Sequence, residues 1–282
     1  MNELQEKQLS ILKEFVRVCE SHHLTYFLCG GSMLGAIRHH GFIPWDDDID
    51  VMMPRKDYDE YVKLQSEYEG TPYFIQTYKT DPHYPYSFAK LRDSSTTYIE
   101  DFFKNHQFNH GVWIDIFPLD GASKVMKPAK KCKNRIMRVW LNYYLCYLPA
   151  LFRKVRKQTF FKDILLNIVA FLFWWGNIAH YRNKHMDNIC RKLPFDSSPM
   201  VANHFGFNMD KEAMDASIFK EAIQVPFEDM RVNVPKRYDE YLRNIYGDYM
   251  KLPPIGKQAG HHHNKGFDLN KGYKEYMKEH KI

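Results

Sequence analysis

Four aspartates fall within five residues at Asp46-Asp47-Asp48-Ile49-Asp50, and the run continues through Val51 and Met52 to Pro54. The alternation of Asp48 and Asp50 with Ile49, Val51 and Met52 has period two, the mark of a strand with one polar and one apolar face, and proline ends such a run. Asp48 and Asp50 then project together from a half-buried strand, where unpaired carboxylates are costly. A divalent cation held by oxygen ligands supplies the missing countercharge. The segment therefore predicts the wall of a cation site rather than a solvated acidic loop, with Mg²⁺ as the expected ion and Mn²⁺ as an alternative.

The surrounding pattern gives that strand a setting. Leu12, Phe15, Val16 and Cys19 recur at helical spacing within 2–22, an amphipathic helix. Tyr26 to Cys29 reads as a short strand, Gly30-Gly31 as a turn, and Ser32 as the cap of a helix through Arg38. Free amides and a hydroxyl at a helix N-terminus form a phosphate cradle. With the acids some sixteen residues downstream, the two features predict a grip on a cation-bound diphosphate from both sides. A helix is expected over 55–68, strands over 73–76, 88–92 and 112–117, and a further helix over 235–246. Asp115, alone in the apolar run Trp113-Ile114-Asp115-Ile116-Phe117, is the expected third carboxylate of the metal site. Lys90 and Arg92, two apart on a strand, share a face and suit donor phosphate charge, as does Arg38. Trp45 and Trp113 stand beside the acids.

Elsewhere the charge is regional. Between Lys124 and Lys162 lie twelve Lys or Arg and no acid, leaving 28 basic against 34 acidic residues in the remainder. Apolar, aromatic clusters at 139–152 and 164–179 accompany them, the longer spanning 16 residues where a bilayer requires about 20. Basic residues beside short aromatic helices suit an anionic membrane surface better than nucleic acid, which is not an expected partner. Five cysteines without paired spacing and a polar N-terminus predict a cytoplasmic address, peripheral on the inner face of the cytoplasmic membrane. His261-His262-His263 has no acid or cysteine at ligand spacing beside it and is assigned no role.

The string from Gly30 to Arg38, followed by Gly41-Phe42-Ile43-Pro44-Trp45-Asp46-Asp47-Asp48-Ile49-Asp50, closely resembles the signature of the LicD family, whose relatives include fukutin and fukutin-related protein. Asp115-Ile116-Phe117-Pro118-Leu119-Asp120-Gly121 looks like its second block. Tyr246-Gly247-Asp248-Tyr249 with Pro253-Pro254 looks like its C-terminal block. The resemblance implies an α+β fold: a nucleotidyltransferase-like mixed sheet flanked by helices, with a helical basic and aromatic insertion. The expected organisation is a catalytic core at 1–123, the insertion at 124–189, and a C-terminal part at 190–282 that completes the catalytic domain.

By the same resemblance the chain transfers phosphocholine, or a similar phospho-alcohol such as ribitol phosphate, from a CDP-activated donor to a sugar hydroxyl, with CMP leaving. The acceptor would be a lipid-linked precursor of a cell-surface glycan or teichoic acid. Asp48, Asp50 and Asp115 would be catalytic and hold the metal with Asp46. Gly30, Gly31, Ser32, Arg38, Trp45, Lys90 and Arg92 would bind substrate. Two rivals predict different behaviour: a nucleotidyltransferase moving NMP would release pyrophosphate, and a non-catalytic membrane-associated protein would tolerate loss of its acids.

Overall fold

A computed structural model describes residues 1–100, 103, 107–122, 178–206, 208–258, 260 and 264–281. The basic segment 124–162, most of the 139–179 apolar stretch and His261–His263 lie outside these residues.

Helix α1 (Glu3–Ser21) starts on a capping box, the Asn2 side chain accepting from the Gln5 amide while Gln5 accepts from that of Asn2. Its buried stripe, Gln8, Leu9, Leu12, Phe15, Val16 and Cys19, packs on the sheet. Strand β1 (Phe27–Leu28) leads directly into α2 (Gly30–His39), so the glycine pair forms the first residues of the helix. The anticipated Ser32 cap is absent. Ser32 lies inside the helix and its hydroxyl accepts the Asp50 amide at 2.8 Å, tying α2 to the next strand.

That strand, β2 (Asp50–Pro54), begins two residues later than the alternation predicts. Asp46 to Asp48 occupy the approach to it, turned by the Asp46 amide donating to the Ile43 carbonyl at 2.9 Å. Helix α3 (Arg55–Tyr61) then covers only half of the expected span, and a 3-10 turn follows at Leu64–Tyr68. The cause is the open edge of β3 (Tyr73–Gln76): the Gln65 side chain accepts the Ile75 amide at 2.8 Å and donates to the Tyr73 carbonyl, drawing that half toward the strand.

Strands β4 (Ala89–Asp93), β5 (Thr97–Glu100) and β6 (Val112–Ala122) follow. After the undescribed stretch come α4 (Ile178–Cys190), β7 (Met200–Asn203), β8 (Ala213–Asp215), the hairpin β9 (Ala222–Phe227) and β10 (Met230–Pro235), α5 (Tyr238–Tyr246), β11 (Asn264–Asp268) and α6 (Tyr273–His280). The main sheet is mixed, with order β1-β2-β6-β4-β3. β2 and β6 are parallel, and β7 with β8 extends the sheet from the far end of β6. β6 outruns its predicted length because residues 119–122 find a partner in β7, some eighty residues downstream.

The segments on either side of the undescribed stretch share one apolar core. Val201, Phe219, Val234, Leu242 and Ile245 pack in the same cluster as Phe15, Leu28, Val51 and Ile116, and β11 pairs with β5. A buried ion network fastens α4 to this core. Arg55 forks onto Asp120 at 2.7 and 2.6 Å and reaches Asp187 at 2.9 Å, while Arg191 joins Asp187 to Asp59. The fold is thus a mixed α/β arrangement with a mixed sheet flanked by helices. Among the described residues no helix is long and apolar enough to cross a membrane, and the thiols of Cys19, Cys29 and Cys190 are buried.

Candidate active site

The sheet register lays charged residues in one row. Asp50 on β2 is the direct partner of Asp115 on β6, and Asp115 is the partner of Lys90 on β4, which in turn faces Gln76 on β3. Register partners point to the same side of a sheet, so two carboxylates and an ammonium meet across three adjacent strands. Lys90 Nζ lies 2.6 Å from Asp115 Oδ1, close enough for an ion pair but off the axis of a hydrogen bond. Burial pushes the Asp50 carboxyl well above the ordinary carboxylate range. Asp48, Asp115 and Asp46 push it further, and Lys90 opposes them. A proton or a positive charge relieves a carboxylate disfavoured in this way.

Beside this row, one carboxylate oxygen from each of Asp46, Asp47 and Asp48 can be chosen so that all three lie within 4.8 Å of one another. Oxygen-only donors of this kind fit Mg²⁺ or Mn²⁺. The structure therefore gathers Asp46, Asp48, Asp50 and Asp115 into one neighbourhood and adds Asp47. The loop that carries them is held from behind by α1. Buried Gln5 donates to the Asp46 carbonyl at 3.0 Å, and buried Gln8 donates to the Asp47 carbonyl at 2.7 Å.

The N-terminus of α2 forms the opposite wall. A side chain at Gly30, where φ is +54°, would begin 3.1 Å from Asp50 Oδ2, and one at Gly31 would begin 2.7 Å from Asp46 Oδ2. The glycine pair lets two carboxylates approach the positive end of a helix. The first amides of a helix have no partner within it, and the Gly30 amide donates to the Tyr241 hydroxyl at 3.1 Å. Tyr246, from the same helix α5, brings its hydroxyl to 3.9 Å from the position a Gly30 side chain would take. Asp50 and Asp46 add to the upward push of burial on that phenol.

The other expected residues take distinct places. Arg38 donates to the Tyr249 carbonyl at 2.8 Å, linking α2 to the segment after α5. Half-buried Trp45 meets His39 edge to face at 6.3 Å. Lys90 and Arg92 are buried rather than superficial, and the Trp113 indole lies under both, with its centroid 4.2 Å from Lys90 Nζ and 4.9 Å from Arg92 Cζ. That ring is engaged by the chain's own cations. Arg92 also donates to the Gly111 carbonyl at 2.6 Å and to Gln76.

Gln5, Gln8, Asp47, Tyr241 and Tyr246 join the site without being expected there from the sequence. Gln5 and Gln8 stand on the buried stripe of α1 at positions where an apolar residue is the norm, and that anomaly is the signal they offer.

The sequence is similar to known proteins over most of its length. The family described as LicD/FKTN/FKRP, nucleotidyltransferase domain, matches residues 23–146. The lipopolysaccharide cholinephosphotransferase LicD of Haemophilus influenzae is 32% identical over 272 residues, covering 94% of this chain and 98% of that protein. The chain belongs to the LicD family. An uncharacterized protein of Rickettsia prowazekii is 24% identical over 162 residues, 49% of this chain and 57% of its own length. An uncharacterized protein of Rickettsia typhi is 28% identical over 75 residues, 26% of this chain and 24% of its own length.

Proposed function

We propose that this LicD-family chain transfers phosphocholine, or a closely related phospho-alcohol, from a CDP-activated donor to a sugar hydroxyl of a cell-surface glycan, with CMP as the second product. The observation that carries this reading is the register pairing of Asp50 with Asp115 beside the Asp46–Asp48 cluster, all facing the N-terminus of α2. Near full-length similarity to a lipopolysaccharide cholinephosphotransferase supports the choice of group and acceptor class.

In this reading the acceptor oxygen attacks the phosphorus bearing the alcohol, a new P–O bond forms, and the bond to the CMP phosphate breaks in line. Asp46, Asp48 and Asp50 would hold the divalent cation, Mg²⁺ or Mn²⁺, with Asp47 as a further ligand. When bound, the ion neutralises donor phosphate charge. The end of α2 orients phosphate oxygens through the Gly31 and Ser32 amides. Asp115 takes the acceptor proton, and Lys90 beside it balances the carboxylate charge. The protein's own contribution is chiefly positioning and electrostatic stabilisation. A lipid-linked acceptor at the cytoplasmic membrane surface fits the basic composition of 124–162.

The test is incubation of purified protein with Mg²⁺, lipopolysaccharide acceptor and, in separate arms, CDP-choline, CDP-ribitol or a nucleoside triphosphate, scoring CMP and pyrophosphate separately. CMP release that depends on acceptor supports the reading. Pyrophosphate release from a nucleoside triphosphate without CMP formation would replace it with nucleotidyl transfer.

A further inference from the structure

Helix α5 turns Tyr241, Leu242 and Ile245 into the core, yet its last residue, Tyr246, keeps 38% of its surface exposed. Its hydroxyl nonetheless reaches the inner wall of the site, 3.9 Å from where a Gly30 side chain would stand and on the same side of that glycine as Asp50 Oδ2. Among the described residues no group hydrogen-bonds this hydroxyl, whereas the neighbouring phenols are committed. Tyr241 accepts the Gly30 amide, and Tyr249 donates to Asp239 at 2.8 Å.

The placement is held from several directions. Gly247, at φ +71°, ends α5 immediately after Tyr246, with its amide donating to the Arg243 carbonyl. Arg38 from α2 then grips the Tyr249 carbonyl at 2.8 Å. The signature helix and the C-terminal block are thereby locked at a fixed spacing, which brings the Tyr246 hydroxyl to the Gly30 end of α2 near Asp50. A hydroxyl with no hydrogen-bond partner among the described residues, set beside a buried carboxylate and a helix N-terminus, is arranged for a ligand. A neutral donor suits a site where further negative charge would be repelled, and phosphate oxygens offer the acceptor lone pairs that it lacks.

We propose that Tyr246 is a substrate-contacting residue, its hydroxyl donating a hydrogen bond to a phosphate oxygen of the nucleoside diphosphate-activated donor. This deepens the proposed function and rests on its assignment of the donor to this site. It also gives the C-terminal block a role: the block supplies the donor site with a contact that residues before 124 cannot provide.

The experiment compares the full-length chain with Tyr246→Phe, which keeps the ring and removes only the hydroxyl. Calorimetric titration with CDP in the presence of Mn²⁺ reads binding, and steady-state CMP release from CDP-choline reads turnover. Thermal melts check the fold. The expected result is an unchanged melting temperature with CDP affinity and kcat/KM for the donor both reduced about ten- to hundred-fold, the range for one hydrogen bond to a charged oxygen. Unchanged CDP affinity and kcat/KM in the variant would overturn the inference and leave the transfer reaction standing. Weakened CDP binding by the variant, in a protein that transfers nothing from CDP-choline, would sustain the Tyr246 contact and remove the proposed reaction. A parent chain that binds no CDP would end both.

Discussion

Asp50 and Asp115 are register partners in the parallel β2–β6 pair, so two carboxylates far apart in the chain stand side by side on one face of the sheet. With Asp48 and Asp46 adding to the burial that already disfavours the ionised form of Asp50, the cluster holds repulsion that a proton or a cation would relieve. Replacement by Asn keeps the shape and removes one charge. Asp50→Asn is expected to lower turnover by about two to four orders of magnitude, the range for losing a stabilising charge at a reacting centre. Its melting temperature in EDTA should be equal to or above that of the parent. An active variant, or one that melts well below the parent, would contradict the assignment; enzyme assay and scanning calorimetry decide.

Gly31 admits the Asp46 carboxylate where a side chain would begin 2.7 Å from its oxygen. Gly31→Ala should displace Asp46 and weaken Mn²⁺ binding about ten-fold, a loss comparable to disturbing a group that supports a metal ligand. The backbone there has no positive φ, so the fold should persist. Calorimetric Mn²⁺ titration, with circular dichroism as the control, checks both halves of the statement.

Glu212, buried beside Asn208, has its carboxyl pushed up to about 7 chiefly by burial. The folded chain therefore holds a proton that the unfolded chain releases between the ordinary glutamate range and about pH 7. Stability from this group is greatest below that window and falls as pH rises through it, by on the order of 3 kcal/mol. Glu212→Gln keeps the acceptor for Asn208 and should flatten the dependence. Urea denaturation in EDTA at pH 5 and pH 7.5 compares the two proteins; identical slopes would remove Glu212 as the source.

Arg55 bridges Asp120 on β6 and Asp187 on α4 with little exposure. Arg55→Met leaves buried carboxylates uncompensated and should destabilise the chain by about 3–5 kcal/mol. The double variant Arg55→Met, Asp120→Asn should recover part of that loss. Chemical denaturation of the four proteins of the cycle measures it, and additivity would show that the two residues do not interact.

Much of the candidate site is legible in the sequence alone. The alternation at 48–52 announces a strand, and its carboxylates demand a countercharge. Gly30-Gly31 marks a strand-to-helix junction, and Asp115 stands out as a lone acid in an apolar run. These are local signals, set by side-chain period and by the cost of burying charge. Gln5 and Gln8 are less visible because their partners are backbone carbonyls some forty residues away, and a helical stripe does not reveal what it covers.

Local sequence thus determined which residues bear charge, roughly where strands and helices form, and that several carboxylates gather near the second strand. Only the tertiary structure decided the rest: that β2 and β6 run parallel with Asp50 against Asp115, that Lys90 and Arg92 are buried around Trp113, and that α5 delivers Tyr241 and Tyr246 to Gly30. The physical reason is that register and long-range contact follow from how the whole apolar surface is buried at once. No local window of the chain contains that information.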